Sequence, residues 1–237
     1  LRSNNYLKPF PEELTRVFSA KIGLIDIFFC QDEKAVNNIS HLNKTVFCTN
    51  HNTMLDSLRL VNKTDTIIKH TETIEKFAIV SLHRFETILK KEKLAVVVNE
   101  IKKITDKIKI FFILHPPTRV SLKKNNLYEN LEKNPRCVLL PRQGFFEFNN
   151  LLVKAEFLIT DGGSNQEECF YLGIPCLLFR SETERSEGIG ENVVISNFDP
   201  AIIENFVLNY SSYRRQPISD TFSPSRFIVD QLAYNHD

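Results

Sequence analysis

Short apolar runs alternate with longer, helix-compatible polar stretches along most of the chain. A helical pattern opens at Pro11 (PEELTRVFSAKIG), with Pro-Glu-Glu suited to a first helical turn. DIFFC (Asp26–Cys30) and TVFCT (Thr45–Thr49) read as strands, each followed by a helix, Gln31–Ile39 and Thr53–Val61. The polar stretch Asn62–Glu75 reads as a linker. From Lys76 the pattern restarts with FAIVSL (Phe77–Leu82), a helix over Ile88–Ile104, IKIFFIL (Ile108–Leu114), a helix over Asn125–Lys133, and CVLLP (Cys137–Pro141). A helix over Phe145–Lys154, a strand over Glu156–Thr160, a helical stretch Asn165–Leu172 and a strand Pro175–Phe179 complete it. Alternation at this spacing predicts an α/β fold, a parallel sheet with helices on both faces. The predicted organisation is a partial domain over 1–62, a linker over 63–75, and a complete domain over 76–237 ending in helices.

In such sheets ligands bind beyond the carboxyl ends of the strands. The residues that fall there are polar and suited to anions. His83-Arg84-Phe85-Glu86 follows FAIVSL, His115-Pro116 follows IKIFFIL, and Arg142-Gln143-Gly144 follows CVLLP. Asp161-Gly162-Gly163-Ser164 follows AEFLIT, and Thr183-Glu184-Arg185 lies beyond PCLLF. Any one of these has an ordinary structural reading; Pro116-Pro117, for instance, reads as a simple chain turn. Five in succession at one edge predict a phosphate-bearing ligand. The two glycines allow close backbone approach to a bulky anion at a helix N-terminus. Glu167 and Glu168, one turn on, are suited to sugar hydroxyls.

Composition narrows the function classes. The 237 residues are 42% hydrophobic, enough for a sizeable core. Thirty basic against 29 acidic side chains give no global field for nucleic acid or an anionic membrane. Five cysteines without CxxC spacing, several inside apolar strands, read as reduced thiols of a cytoplasmic protein. No apolar run approaches a membrane span. The chain starts at Leu1, and its single methionine is Met54, which predicts a segment upstream.

The motifs resemble the non-hydrolysing UDP-N-acetylglucosamine 2-epimerase family. SLHRFETI is similar to the family's T-x-H-R-x-E-N, and TDGGSNQEECFYLGIPCLLFRSETERSE to its T-D-S-G-G-I-Q-E-E segment with the later T-E-R-P-E. LRSNNYLKPFPEE, QDEKAVNNI and NHNTMLDSL resemble segments of the same family's first domain. The resemblance implies a GT-B-like pair of Rossmann-type domains, UDP-N-acetylglucosamine and UDP as ligands, no cofactor or metal, and compatibility with a homodimer. The implied reaction inverts C2 of the sugar by elimination and re-addition of UDP. Glu12 matches an acid near the sugar and His83 the histidine at the diphosphate. Arg84, in the same motif, is implied at UDP, as are Gly163 and Ser164 through their N–H groups. Glu168 matches the ribose ligand, Arg185 a phosphate-cleft arginine, and Phe148 the aromatic beside uracil.

Departures from the family pattern set further expectations. The serine of Asp-Ser-Gly-Gly is shifted by two positions here, the motif asparagine is Thr87, and a glycine is replaced by His51. The family's G-D-T and HVEAG acids would precede Leu1, so the resemblance implies UDP binding by this chain with little turnover. A glycosyltransferase of the same fold, a hydrolysing epimerase and a nucleotide-sugar sensor are the alternatives.

Overall fold

The computed structural model describes Thr15, residues 18–61 and residues 75–234. The expected helix start at Pro11, the candidate acid Glu12 and most of the expected linker lie outside the described residues. The chain divides into two compact units, 1–60 with 220–237, and 61–219.

In the first unit, β1 (Ile27–Cys30) and β2 (Thr45–Cys48) pair in parallel, with Phe29 opposite Phe47. Their rings stack at 5.4 Å, and Phe47 meets Phe227 edge-on at 6.1 Å. Between the strands lies α1 (Glu33–Asn37), capped by Asp32, whose carboxylate accepts the Ala35 N–H at 2.6 Å. Helix α2 (Met54–Val61) follows β2. The chain returns to this unit at Asp220. The Arg59 guanidinium donates to the carbonyls of Asp220 and Phe222. Asp56 accepts the Ser225 N–H at 2.8 Å, and His51 Nε2 lies 3.2 Å from Asp220 Oδ2. These contacts join residues more than 160 positions apart, which no local pattern announces.

The second unit is a six-stranded parallel sheet. Its strands are β3 (Phe77–Leu82), β4 (Lys109–Leu114), β5 (Cys137–Pro141), β6 (Leu158–Thr160), β7 (Cys176–Leu178) and β8 (Val193–Ile195), in the spatial order β5-β4-β3-β6-β7-β8. All six residues of β3 are buried, as a central parallel strand covered on both faces requires. Ala78, Val80 and Leu82 point to one face, against α4 (Lys91–Thr105) and α9 (Pro200–Asn209). Phe77 and Ile79 point to the other, against α7 (Phe145–Leu152) and α8 (Gly163–Leu172). The period of two along the strand thus feeds two separate cores.

Some elements differ from the sequence reading. Pro116 and Pro117 do not turn the chain away; they begin helix α5 (Pro116–Lys124), where a missing N–H costs nothing and a fixed φ is already helical. The helix expected over Ile88–Ile104 is split into α3 (Phe85–Ile88) and α4. Helix α6 (Tyr128–Glu132) is shorter than expected, and α10 (Pro224–Tyr234) belongs to the first unit. No helix among the described residues is long and apolar enough to cross a membrane. The five cysteines are free thiols, and burial pushes Cys137 up to about 12.

Candidate active site at the switch point of the sheet

The strand order reverses direction between β3 and β6, which opens a crevice at their carboxyl ends. Ser81 stands opposite Thr160, so the residues that follow them emerge side by side. Asp161, fully buried, accepts the backbone N–H groups of His83 and Arg84 at 2.9 and 3.0 Å. One carboxylate therefore fixes the start of the His83 segment to the glycine turn. His83 Nδ1 is buried without a hydrogen-bond partner among the described residues, 3.6 Å from Asp161 Oδ1. The His115 ring, from the end of β4, lies 4.6 Å from the His83 ring at 31°. Burial lowers the His115 pKa, the charges of His83 and Arg142 act in the same direction, and Asp161 opposes them.

The turn itself has no spare room. A Cβ on Gly162 would lie 2.8 Å from His83 Cε1 and 2.9 Å from Asn165 Oδ1. One on Gly163 would overlap Arg185 Nε. Gly162 is the N-cap of α8 and supplies no side chain to the first-turn N–H groups. Gly163 and the exposed Ser164 open that turn, presenting backbone donors and the positive end of the helix dipole. The helix starts two residues before the expected Asn165, so the glycine turn and the anion-suited helix end are one feature. Gly173, at φ 67°, closes α8 against the Arg215 carbonyl.

Beyond β7 the chain folds back over α8. Gln166 holds it there: its amide nitrogen donates to the carbonyls of Arg185 and Glu187 at 3.2 and 2.9 Å, and its oxygen accepts from Thr183 Oγ1 at 2.8 Å. Arg185 forms an ion pair with Glu167, whose side chain is 1% exposed. Arg185 Nε remains buried, without an acceptor among the described residues. Arg180 pairs with Glu184 at 2.9 Å, and Arg84 approaches Glu184 at 4.0 Å. Glu168 is buried and accepts from Asn165 Nδ2 at 2.7 Å. Burial pushes its carboxyl up to about 7, with hydrogen bonds from Asn165 and Asn149 acting in the other direction.

His83, Arg84, Gly163, Ser164, Glu168 and Arg185 thus lie on or beside one turn and its helix. Phe148 is 8% exposed and packs in a core cluster. Asp161, Asn165, Gln166 and His115 also build the site. Sequence reading placed Asp161 and His115 at the sheet edge without their partners, because those partners come from other strands. Among the described residues no group of three or more His, Cys, Asp or Glu side chains is arranged to hold a metal ion.

Residues 1–219 match the family model described as UDP-N-acetylglucosamine 2-epimerase. A UDP-N-acetylglucosamine 2-epimerase of Methanocaldococcus jannaschii is 30% identical over 240 residues, covering 94% of this chain and 64% of that protein. One from Methanococcus maripaludis is 32% identical over 212 residues, covering 84% of this chain and 57% of that protein. The chain therefore spans about three-fifths of the length of these relatives. The crystal structure of the M. jannaschii enzyme in complex with UDP-GlcNAc and UDP is similar at a TM-score of 0.77 and 30% identity, over 94% of this chain and 65% of that one. With the Rossmann-type strand order and the glycine turn beside His83, the match over residues 1–219 shows that this chain belongs to the UDP-N-acetylglucosamine 2-epimerase family.

Proposed function

We propose that this chain acts in the 2-epimerisation of UDP-N-acetylglucosamine and that the crevice between β3 and β6 is its UDP seat. The observation that supports this most is the pair of buried nitrogens without a hydrogen-bond acceptor among the described residues, His83 Nδ1 (3.6 Å from Asp161) and Arg185 Nε, on the two sides of the Gly162-Gly163 turn. A diphosphate in the turn would meet the α8 N-terminus, an imidazole and a guanidinium together. In this reading Gly163 and Ser164 donate their N–H groups to phosphate oxygens. Arg84 adds positive charge, Glu168 accepts from ribose hydroxyls, and Phe148 lies beside uracil.

The chemistry these residues would serve is an elimination. A carboxylate base takes the C2 proton, the C1–O bond breaks, and its electron pair leaves on UDP, giving 2-acetamidoglucal. UDP then re-adds at C1 while a proton reaches the opposite face of C2, giving UDP-N-acetylmannosamine. Glu12 is proposed as one acid near the sugar, and His83 and Arg185 as the groups that stabilise the departing diphosphate. The first unit is read as sugar-side and the second as UDP-binding, in a homodimer. The free thiols fit a reducing compartment, taken here as the cytoplasm.

Incubation with UDP-N-acetylglucosamine in D2O tests the proposal, read by proton NMR. UDP-N-acetylmannosamine carrying deuterium at C2, formed at a low rate by the 237-residue chain, is the expected product. Free N-acetylmannosamine with UDP would instead assign a hydrolysing enzyme, and consumption of an added sugar acceptor a transferase.

A further inference from the structure

Asn165 stands where the family pattern has an apolar residue, and Gly162 where it has serine. The two departures meet in space. Thr160 Oγ1 accepts the Gly162 N–H at 3.0 Å and donates its own proton to Asn165 Oδ1 at 3.0 Å. Asn165 Nδ2 then donates to Glu168 Oε2 at 2.7 Å. Each hydrogen bond of this series runs from a donor to an acceptor, and with Glu168 ionised the amide has only one workable orientation. If it were reversed, its oxygen would face the carboxylate and its NH2 group the buried Gly162 turn. Asn165 Oδ1 also fills space that a side chain on Gly162 would need, since a Cβ there would lie 2.9 Å away.

We propose that Asn165 is a positioning residue that aims the Glu168 carboxylate at the ribose and ties it to the phosphate-binding turn. Gly162 and Asn165 form the matched pair that makes this possible. The inference rests on the reading of the crevice as a UDP seat. A carboxylate has about four acceptor directions; the Asn165 amide takes one and Asn149 a second, leaving two for ribose hydroxyls. Without the amide, the Glu168 side chain gains rotamers and the Thr160 hydroxyl loses its acceptor.

The test uses calorimetry on the full 237-residue chain with two probes, UDP and its 2′,3′-dideoxy analogue. The unaltered chain is expected to prefer UDP. Asn165→Leu should lower UDP affinity about tenfold, the scale of one hydrogen bond to a charged group, while the dideoxy analogue binds as before. Discrimination between the probes thus shrinks, which a purely structural role for Asn165 would not produce. Asn165→Ala, which is small enough to avoid any clash, reports the same ratio should the leucine variant fail to fold. Equal weakening of both probes, or no change in either, overturns the inference while leaving the UDP seat intact. An unaltered chain that binds neither probe overturns the UDP seat, and the inference with it.

Discussion

Asp161 holds His83 by its backbone: the N–H groups of His83 and Arg84 converge on the two oxygens of one fully buried carboxylate at 2.9 and 3.0 Å. The imidazole orientation therefore depends on a residue of the neighbouring strand rather than on its own loop. Asp161→Asn replaces one acceptor by an NH2 group facing an N–H donor. The variant is expected to be destabilised by roughly 2–4 kcal/mol and to bind UDP more weakly. Urea unfolding and calorimetry measure the two effects, and an unchanged midpoint would contradict the anchoring role.

Gly162 is required by space and not by φ, which is negative there. Gly162→Ala is expected to displace His83 or Asn165 and to lower UDP affinity about tenfold or more, the scale on which displaced binding groups cost affinity. Calorimetry of an intact, folded variant checks it. Affinity equal to that of the unaltered chain would remove the turn from the ligand site.

Glu168 makes stability depend on pH in a set direction. Its folded-state pKa, raised to about 7 from 4.5, means that the native state retains a proton the unfolded chain releases. The associated stability is complete below about pH 4.5 and is lost as pH rises toward 7, by about 3 kcal/mol in total. Melting temperatures from pH 4.5 to 8 should show a fall that Glu168→Gln removes. A variant with the same pH profile as the parent would rule out Glu168 as its source.

Arg185 pairs with Glu167 and is proposed to meet the diphosphate, and one substitution confounds the two. Arg185→Ala leaves the buried Glu167 carboxylate without its guanidinium and is expected to cost about 3 kcal/mol of stability as well as UDP affinity. Adding Glu167→Gln should return much of the stability but not the affinity. Recovery of both in the double variant would confine Arg185 to the fold.

The alternation of apolar and polar runs made the strands of the second unit legible through Pro175–Phe179, since fully buried parallel strands leave dense apolar signals. The three-residue β8 gives too short a signal. Pro116-Pro117 was ambiguous because proline both turns chains and starts helices. At the site, His83, Glu168 and Arg185 stood out as polar, ionisable residues beyond strand ends or on the first turns of a helix. Asn165 did not, because a polar residue at that helical position acquires its meaning only from Thr160, Gly162 and Glu168 together. Phe148 sits among core residues, as its apolar helix suggests.

Titration of the 237-residue chain with UDP, set beside the same titration of the Arg185→Ala, Glu167→Gln variant, tests the diphosphate seat most directly. The expected outcome is saturable binding at one site per chain, weakened about tenfold or more in the variant while its melting temperature stays close to that of the parent. No saturable binding by the unaltered chain, or equal affinity in both proteins, would contradict the assignment of the glycine turn and Arg185 to UDP.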